Sequence, residues 1–126
     1  MKRHTLILTI GLLLTLALSA QSPRQVTPFD ADWLFLLGDE PAASNPGFDD
    51  GAWRLLNLPH DWSIEGQYDI NHPTGRGGGY LPAGIGWYRK AFTLPASIKD
   101  KQVFIEFDGI MANSEVWING QYLGKR

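Results

Sequence analysis

The sequence contains no cysteine among its 126 residues, and this absence removes several possibilities at once. A chain without cysteine has no disulfides, no site for lipid attachment to a thiol and no metal–thiolate centre. The net charge is also small, because 11 basic and 13 acidic residues leave a charge of −2. Nucleic-acid binding needs a basic surface, so this composition argues against it. The chain also has no internal repeat and, beyond its amino terminus, no amphipathic helix.

The amino terminus has the pattern of a secretory signal peptide. Residues 2–4 are basic, residues 6–18 are almost entirely apolar, and residues 19–20 are small, as expected before a cleavage site. We therefore predict a helical signal peptide at 1–20 and a mature, periplasmic or secreted chain at 21–126, with no membrane attachment after cleavage. A membrane anchor is the alternative interpretation, but the apolar run is shorter than the roughly 20 residues that a spanning helix needs.

The mature region is rich in segments typical of antiparallel strands. These segments contain aromatic and β-branched residues and are bounded by Gly, Pro, Asn or Asp. Asn119-Gly120 separates two such runs and predicts a type I′ hairpin, because both central residues of that turn need positive φ. We predict an all-β sandwich or jelly roll of short strands and long loops. The predicted strands lie at 33–37, 53–58, 86–95, 103–108 and on both sides of the turn within 115–124.

Between Gly66 and Gly86 lies a glycine-rich loop without apolar periodicity. Its run at 75–79 lacks the Gly-Lys-Ser/Thr ending and the following helix of a phosphate-binding loop, so that interpretation fails. Loops of this length are usually functional or disordered. A flexible surface loop and a ligand-binding edge both remain open interpretations.

The polar side chains do not define a catalytic or metal site. The spacing of the nearby histidines and aspartates matches no known ligand pattern, so we expect no metal and no cofactor. Neither of the two serines considered as nucleophiles lies in a nucleophile elbow, which would need Gly-x-Ser-x-Gly. The residues considered are His60, Asp61, Asp69 and His72 for metal binding, and Ser63 and Ser114 as nucleophiles.

Glu106 and Asp108 share one face of a predicted strand. A retaining glycosidase needs two carboxyl groups roughly 5 Å apart, and this pair could have that spacing. A solvated sheet face explains the two carboxylates more simply. The residues alone therefore identify no catalytic group.

Motifs along the mature chain resemble the amino-terminal sugar-binding domain of glycoside hydrolase family 2, the β-galactosidase and β-glucuronidase family. The opening at 29–39 is similar to that of exported bacterial β-galactosidase-like members. Four further motifs occur in the family's order, namely Leu-Pro-His-Asp-Trp at 58–62, Gly-Ile-Gly-Trp-Tyr-Arg-Lys-Ala-Phe at 84–92, Phe-Asp-Gly-Ile at 107–110 and Val-Trp-Ile-Asn-Gly at 116–120.

The resemblance implies a galactose-binding-domain-like jelly roll that precedes an immunoglobulin-like domain and a TIM barrel with the catalytic glutamates. Residues 21–126 would then be a partial, non-catalytic domain of a glycosidase that cleaves O-glycosidic bonds in carbohydrates with retention. Its partners would be a carbohydrate, such as a galactoside, and the barrel of its own protein. Alternatives are a free-standing carbohydrate-binding module and an interaction domain without a ligand.

The resemblance also suggests where substrate is contacted. In relatives, the loop before the Trp-Tyr-Arg-Lys strand reaches the barrel mouth, and some supply a polar side chain there. Residues 82–84 of this chain are Pro-Ala-Gly, so Tyr80 is the nearest candidate for substrate binding. His60, Asp61 and Trp62 are interpreted as a structural turn in which the aspartate caps local amides, with a ligand role as the alternative.

Overall fold

The computed structural model describes residues 24–126, and the predicted signal peptide at 1–20 lies outside them. Regular structure in this part consists of short strands and single 3₁₀ turns, and every strand pair is antiparallel, as predicted. None of its helical segments is long and apolar enough to cross a membrane. The strands are β1 (Trp33–Leu37), β2 (Arg54–Leu56), β3 (Gly86–Arg89), β4 (Glu115–Ile118) and β5 (Gln121–Lys125). The 3₁₀ turns are Pro41–Ser44, Trp62–Glu65, Arg76–Gly78 and Ala96–Ile98.

The larger sheet is organised around β1, which lies between β2 and β3. Phe35 at its centre is paired with Arg54 on one side and Tyr88 on the other. Side chains alternate along a strand, so Trp33 and Phe35 point to the same face, and they are only 9% and 6% exposed. The buried apolar side chains of residues 24–126 are Trp33, Phe35, Ala43 and Trp53.

The second sheet is the predicted hairpin of β4 and β5. Asn119 and Gly120 have φ values of 51° and 78°, so both adopt the left-handed conformation that the type I′ turn requires. The prediction of this turn is confirmed. Trp117 of β4 stacks on Trp87 of β3, with ring centroids 5.3 Å apart, and this contact joins the two sheets.

Arg89 at the end of β3 fastens the loop after β1 to the sheet. Its Nη1 donates to the backbone oxygens of Ala43 and Asn45 at 2.8 and 2.9 Å, and its Nη2 donates to that of Pro46 at 2.7 Å. The Nε lies 2.7 Å from a carboxylate oxygen of Asp50. One planar guanidinium therefore satisfies several carbonyls of a segment that makes few ladder hydrogen bonds.

The predicted strand at 103–108 is wrong for the part of the chain that the structure describes. This segment is assigned to no strand, because it has no ladder partner within residues 24–126. Phe104 is 78% exposed, and the carboxylate of Glu106 pairs with Arg24. The alternation of apolar residues is present, but a strand also needs hydrogen-bonded neighbours.

Two other predicted strands are shorter than expected. The strand predicted at 53–58 is Arg54–Leu56, and the one predicted at 86–95 is Gly86–Arg89. Both pair with β1, and β1 offers only 5 residues for pairing. The length of the central strand therefore limits its neighbours.

Candidate functional site

The turn at 60–62 follows a cis peptide bond between Leu58 and Pro59. Asp61 begins the 3₁₀ turn Trp62–Glu65, and its Oδ1 accepts hydrogen bonds from the Ser63 amide at 3.0 Å and from the Ser63 hydroxyl at 2.7 Å. The expected capping role of Asp61 is therefore confirmed. The turn directs the side chains on both sides of Asp61 towards the sheet.

His60 is the centre of a polar network that joins β2, β3 and this turn. Its Nδ1 lies 2.7 Å from the hydroxyl of Tyr88, and its Nε2 lies 2.7 Å from Nη2 of Arg54. The same Nη2 lies 2.9 Å from Oε2 of Glu65. Nε2 of His60 also lies 3.1 Å from Oε1 of Glu65. Because Nη2 only donates, Nε2 of the neutral imidazole accepts from the closer Arg54, and its Nδ1 then donates to Tyr88. The two hydrogens of Nη2 are thus shared between an imidazole and a carboxylate.

Two groups of this network have shifted pKa values. The hydrogen bonds from Arg54, and after them the neighbouring His60 imidazole, lower the pKa of Glu65 below its usual value, so the carboxylate is charged at neutral pH. Burial is the main reason why the pKa of Tyr88 is raised, with a smaller contribution from the negative charge of Asp61. The Tyr88 hydroxyl therefore stays protonated and holds the imidazole in place.

The network borders an open cleft of about 480 Å³. Arg54 and Glu65 form its polar edge, with side chains 50% and 46% exposed. The Arg54 guanidinium also lies 5.2 Å from the centre of the Phe35 ring, which holds its plane over the sheet. Apart from Gly66, the other lining residues are apolar or aromatic, namely Phe35, Leu36, Leu37, Ala52, Trp62 and Pro82.

A second cleft, of about 290 Å³, lies between the 61–63 turn and the glycine-rich loop. Trp62 and Pro82 line both clefts and separate them. The Pro82-Ala83-Gly84 segment, which the resemblance places near substrate, lines this second cleft, together with Asp61, Ser63, Thr74, Gly78, Leu81 and Met111. Tyr80 lines neither of the two clefts.

Tyr80 is held in an uncommon backbone conformation, with φ of 55°. Its amide donates to the carbonyl of Gly75 at 2.8 Å, and its own carbonyl accepts from the amide of Asp69 and from Nδ1 of His72. Its ring meets the exposed ring of Tyr68 edge to face, with centroids 5.5 Å apart. The glycine-rich loop is thus internally hydrogen-bonded and presents an aromatic pair at the surface.

The sequence-predicted polar residues are not brought together as a metal or carboxylate site. Residues 24–126 contain no group of three or more His, Asp or Glu side chains that could hold a metal ion. His60 faces Arg54 and Tyr88, whereas His72 bonds to the backbone of Tyr80. The two carboxylates at 106 and 108 are exposed and line neither cleft.

Sequence reasoning missed Arg54 and Glu65. Arg54 is an ordinary charged residue within a predicted strand, Glu65 is one after a predicted turn, and nothing in their spacing of 11 positions indicates that they meet. Only the pairing of β2 with β1 and the turn at 62–65 bring them to the same histidine. No local pattern could have identified them.

Comparison with known proteins finds similar enzymes of one family. No family model matches the chain. It is 54% identical over 108 residues to β-galactosidase BoGH2A of Bacteroides ovatus, which covers 86% of this chain and 13% of that enzyme. It is 33% identical over 105 residues to a β-glucuronidase of Formosa agariphila, which covers 82% of this chain and 11% of that enzyme.

Solved structures agree with the sequence matches. A β-glycosidase from Bacteroides vulgatus superposes with a TM-score of 0.77 and 51% identity, over 82% of this chain and 14% of that one. A glycosyl hydrolase family 2 member from Bacteroides cellulosilyticus superposes with a TM-score of 0.74 and 38% identity, over 78% of this chain and 13% of that one.

These matches relate the chain, by sequence and by fold, to one region of β-glycosidases. More narrowly, the chain belongs to glycoside hydrolase family 2, and it corresponds to the amino-terminal region of the β-galactosidases and β-glucuronidases of that family. The resemblance noted in the sequence is therefore confirmed. The chain spans little more than a tenth of the length of the enzymes it matches.

Proposed function

We propose that the chain is the non-catalytic, sugar-binding amino-terminal domain of an exported, β-galactosidase-like glycosidase that cleaves O-glycosidic bonds with retention. The identity of 54% to a β-galactosidase carries this proposal. At that identity over 86% of the chain, the fold and the surfaces that serve the parent enzyme are expected to be shared. The hydrolytic residues would lie in a barrel encoded by the same gene.

The finer architecture is part of this proposal. We infer that the two antiparallel sheets belong to a jelly roll, and the stacking of Trp87 on Trp117 across them supports a face-to-face arrangement. Export follows from the signal-peptide pattern at 1–20, which supports a periplasmic or secreted location.

The decisive experiment uses the complete reading frame that contains this chain. Its product should hydrolyse an aryl β-galactoside, and NMR of the first-formed sugar should show retained anomeric configuration. A reading frame that stops after Arg126, or a full-length product without glycosidase activity, would refute the proposal. The first of these outcomes would favour the second candidate, a free-standing carbohydrate-binding module, for which the Tyr68–Tyr80 pair is the supporting observation.

Tyr80 is proposed to contact the sugar. A left-handed backbone is costly for a large residue, and such strain is typically kept where a side chain has a task. Tyr80→Asn removes the ring and keeps a residue that tolerates this conformation. We expect the KM for an aryl galactoside to rise about tenfold, which corresponds to one aromatic contact.

Tyr122→Asn is the control for that variant, because Tyr122 is an exposed tyrosine of β5 and lies outside the glycine-rich loop. Its KM should stay within about twofold of the unmodified enzyme, a difference too small to represent a lost contact. Equal KM values for the two variants would remove Tyr80 from the binding site.

A further inference from the structure

We propose that the cleft bordered by Arg54 and Glu65 binds an uncharged pyranose unit of a glycan through hydrogen bonds from this charged pair. This inference rests on the proposed function only in that the ligand is a glycan. It concerns residues to which neither the sequence motifs nor the resemblance assigns a role. The occupant is one sugar ring, not a peptide or a second copy of the chain.

The polar groups of the cleft have unused hydrogen-bonding capacity. Arg54 uses only Nη2 for His60 and Glu65, so its Nε and Nη1 hold no hydrogen bond within residues 24–126. Both oxygens of Glu65 can accept further bonds, since a carboxylate has about four acceptor positions. Donors and acceptors placed side by side match the adjacent hydroxyls of a pyranose.

The pair is also held in position before a ligand arrives. His60 accepts from Arg54 and is itself fixed by Tyr88, while the Phe35 ring lies beneath the guanidinium. A long arginine side chain normally loses rotamer freedom when it binds a ligand, and this arrangement has already restricted that freedom. His60 and Tyr88 therefore favour binding without contacting the ligand themselves.

The cleft's size and lining fit one sugar ring. Its volume of about 480 Å³ lies within the usual range for small-molecule sites. The apolar strand residues and Trp62 offer surfaces for the C–H faces of a pyranose, while the hydroxyl edges point to the charged pair.

Charge decides between neutral and acidic sugars. Arg54 and Glu65 compensate each other at 2.9 Å, so the cleft edge carries no net charge. A uronate carboxylate at Nη1 of Arg54 would also approach the carboxylate of Glu65, and like charges at such distances repel. The cleft should therefore prefer a galactoside to a glucuronate, although the relatives include both β-galactosidases and β-glucuronidases.

The test is calorimetric titration of the full-length protein with methyl β-galactoside and with glucuronic acid. Arg54→Met removes the donors, and Ala52→Leu adds bulk to the lining without a polar group. Each should raise the dissociation constant for methyl β-galactoside at the cleft at least about tenfold. Arg76→Met is the matched control, because Arg76 is an exposed arginine that lines neither cleft. Its isotherm should match that of the unmodified protein.

Glu65→Gln gives an independent readout. It keeps the shape and one oxygen acceptor but leaves the Arg54 charge uncompensated, so glucuronic acid should bind at least about fivefold more tightly than to the unmodified protein. Galactoside isotherms that are the same in Arg54→Met, Ala52→Leu and Arg76→Met would overturn the proposal. So would tighter binding of glucuronic acid than of galactoside to the unmodified protein.

Hydrolysis of an aryl galactoside, measured on the same preparations, keeps the two proposals separable. If the unmodified enzyme is active and the variants lose galactoside binding at the cleft, the proposal that the cleft binds a sugar is supported. An active enzyme with unaltered binding in all variants refutes the cleft alone, and an inactive unmodified protein refutes the proposed function alone.

Discussion

Replacing Arg89 by methionine should release the loop at 41–51 from the sheet. The guanidinium donates to three backbone carbonyls of this loop and pairs with Asp50, and its side chain is only 21% exposed. Methionine keeps much of the packed side-chain volume but has no donor. The change therefore tests the hydrogen bonds and the ion pair rather than the packing.

The expected magnitude follows from the acceptors. A hydrogen bond from a charged donor contributes about 1.5 kcal/mol at the lower end, so three contribute about 4.5 kcal/mol. Asn45 and Pro46 are exposed, and their carbonyls would regain water once the loop opens, which we take to halve the loss. The free energy of local opening should then fall by about 2 kcal/mol, which corresponds to a roughly 30-fold faster exchange of the loop amides.

Hydrogen–deuterium exchange measured by mass spectrometry on the full-length protein provides the assay. The amides of Asn45 and Phe48 are the reporters, because both are hydrogen-bonded within the loop. Asp50→Asn is the matched variant: it removes only a partly exposed ion pair and should change exchange less than about fivefold. Exchange in Arg89→Met within about threefold of the unmodified protein would refute the assigned role of the guanidinium.

Two further predictions concern packing and pH. Gly86→Ala would place a Cβ 2.9 Å from a ring carbon of Phe35 and 3.0 Å from Nε1 of Trp62, so we expect the free energy of unfolding to fall by about 1–3 kcal/mol. Gly77→Ala is the control, because a Cβ at that position meets open space. Equal melting temperatures for the two variants would contradict this packing. The raised pKa of Tyr88 in the folded state means that its contribution to stability is complete below its ordinary value of 10.0 and is lost as pH rises through the folded-state pKa. Tyr88→Phe should therefore show a shallower fall in melting temperature from about pH 9 to 11, and an unchanged slope would show that another group titrates.

The features that the sequence predicts correctly are local ones. The hairpin turn depends on two adjacent residues, Asn119 and Gly120, whose tolerance of positive φ is a property of the residues themselves. The Asp61 cap likewise needs only an amide two positions further along the chain. In both cases the interacting groups lie within a few residues of each other.

The site could not be predicted because its contacts connect distant parts of the chain. Tyr88 lies 28 positions from His60, and Arg89 lies more than 40 positions from the carbonyls it binds. Charged residues such as Arg54 and Glu65 look like ordinary surface residues until the strand register brings them together. Family resemblance indicated the motif around His60 but not the network it supports.

The segment at 103–108 shows that an alternating apolar pattern is not sufficient for a strand to form. Its apolar residues have the right period, yet no backbone within residues 24–126 pairs with it, and Phe104 stays largely exposed. The same part of the chain buries only four apolar side chains, and Nε1 of Trp87 is enclosed without an acceptor there. So small a core offsets little of the entropy of ordering about a hundred residues. Under the proposed function, the exposed apolar surface around Phe104 would be an interface for further polypeptide of the parent enzyme, in line with the small share of its relatives that the chain covers.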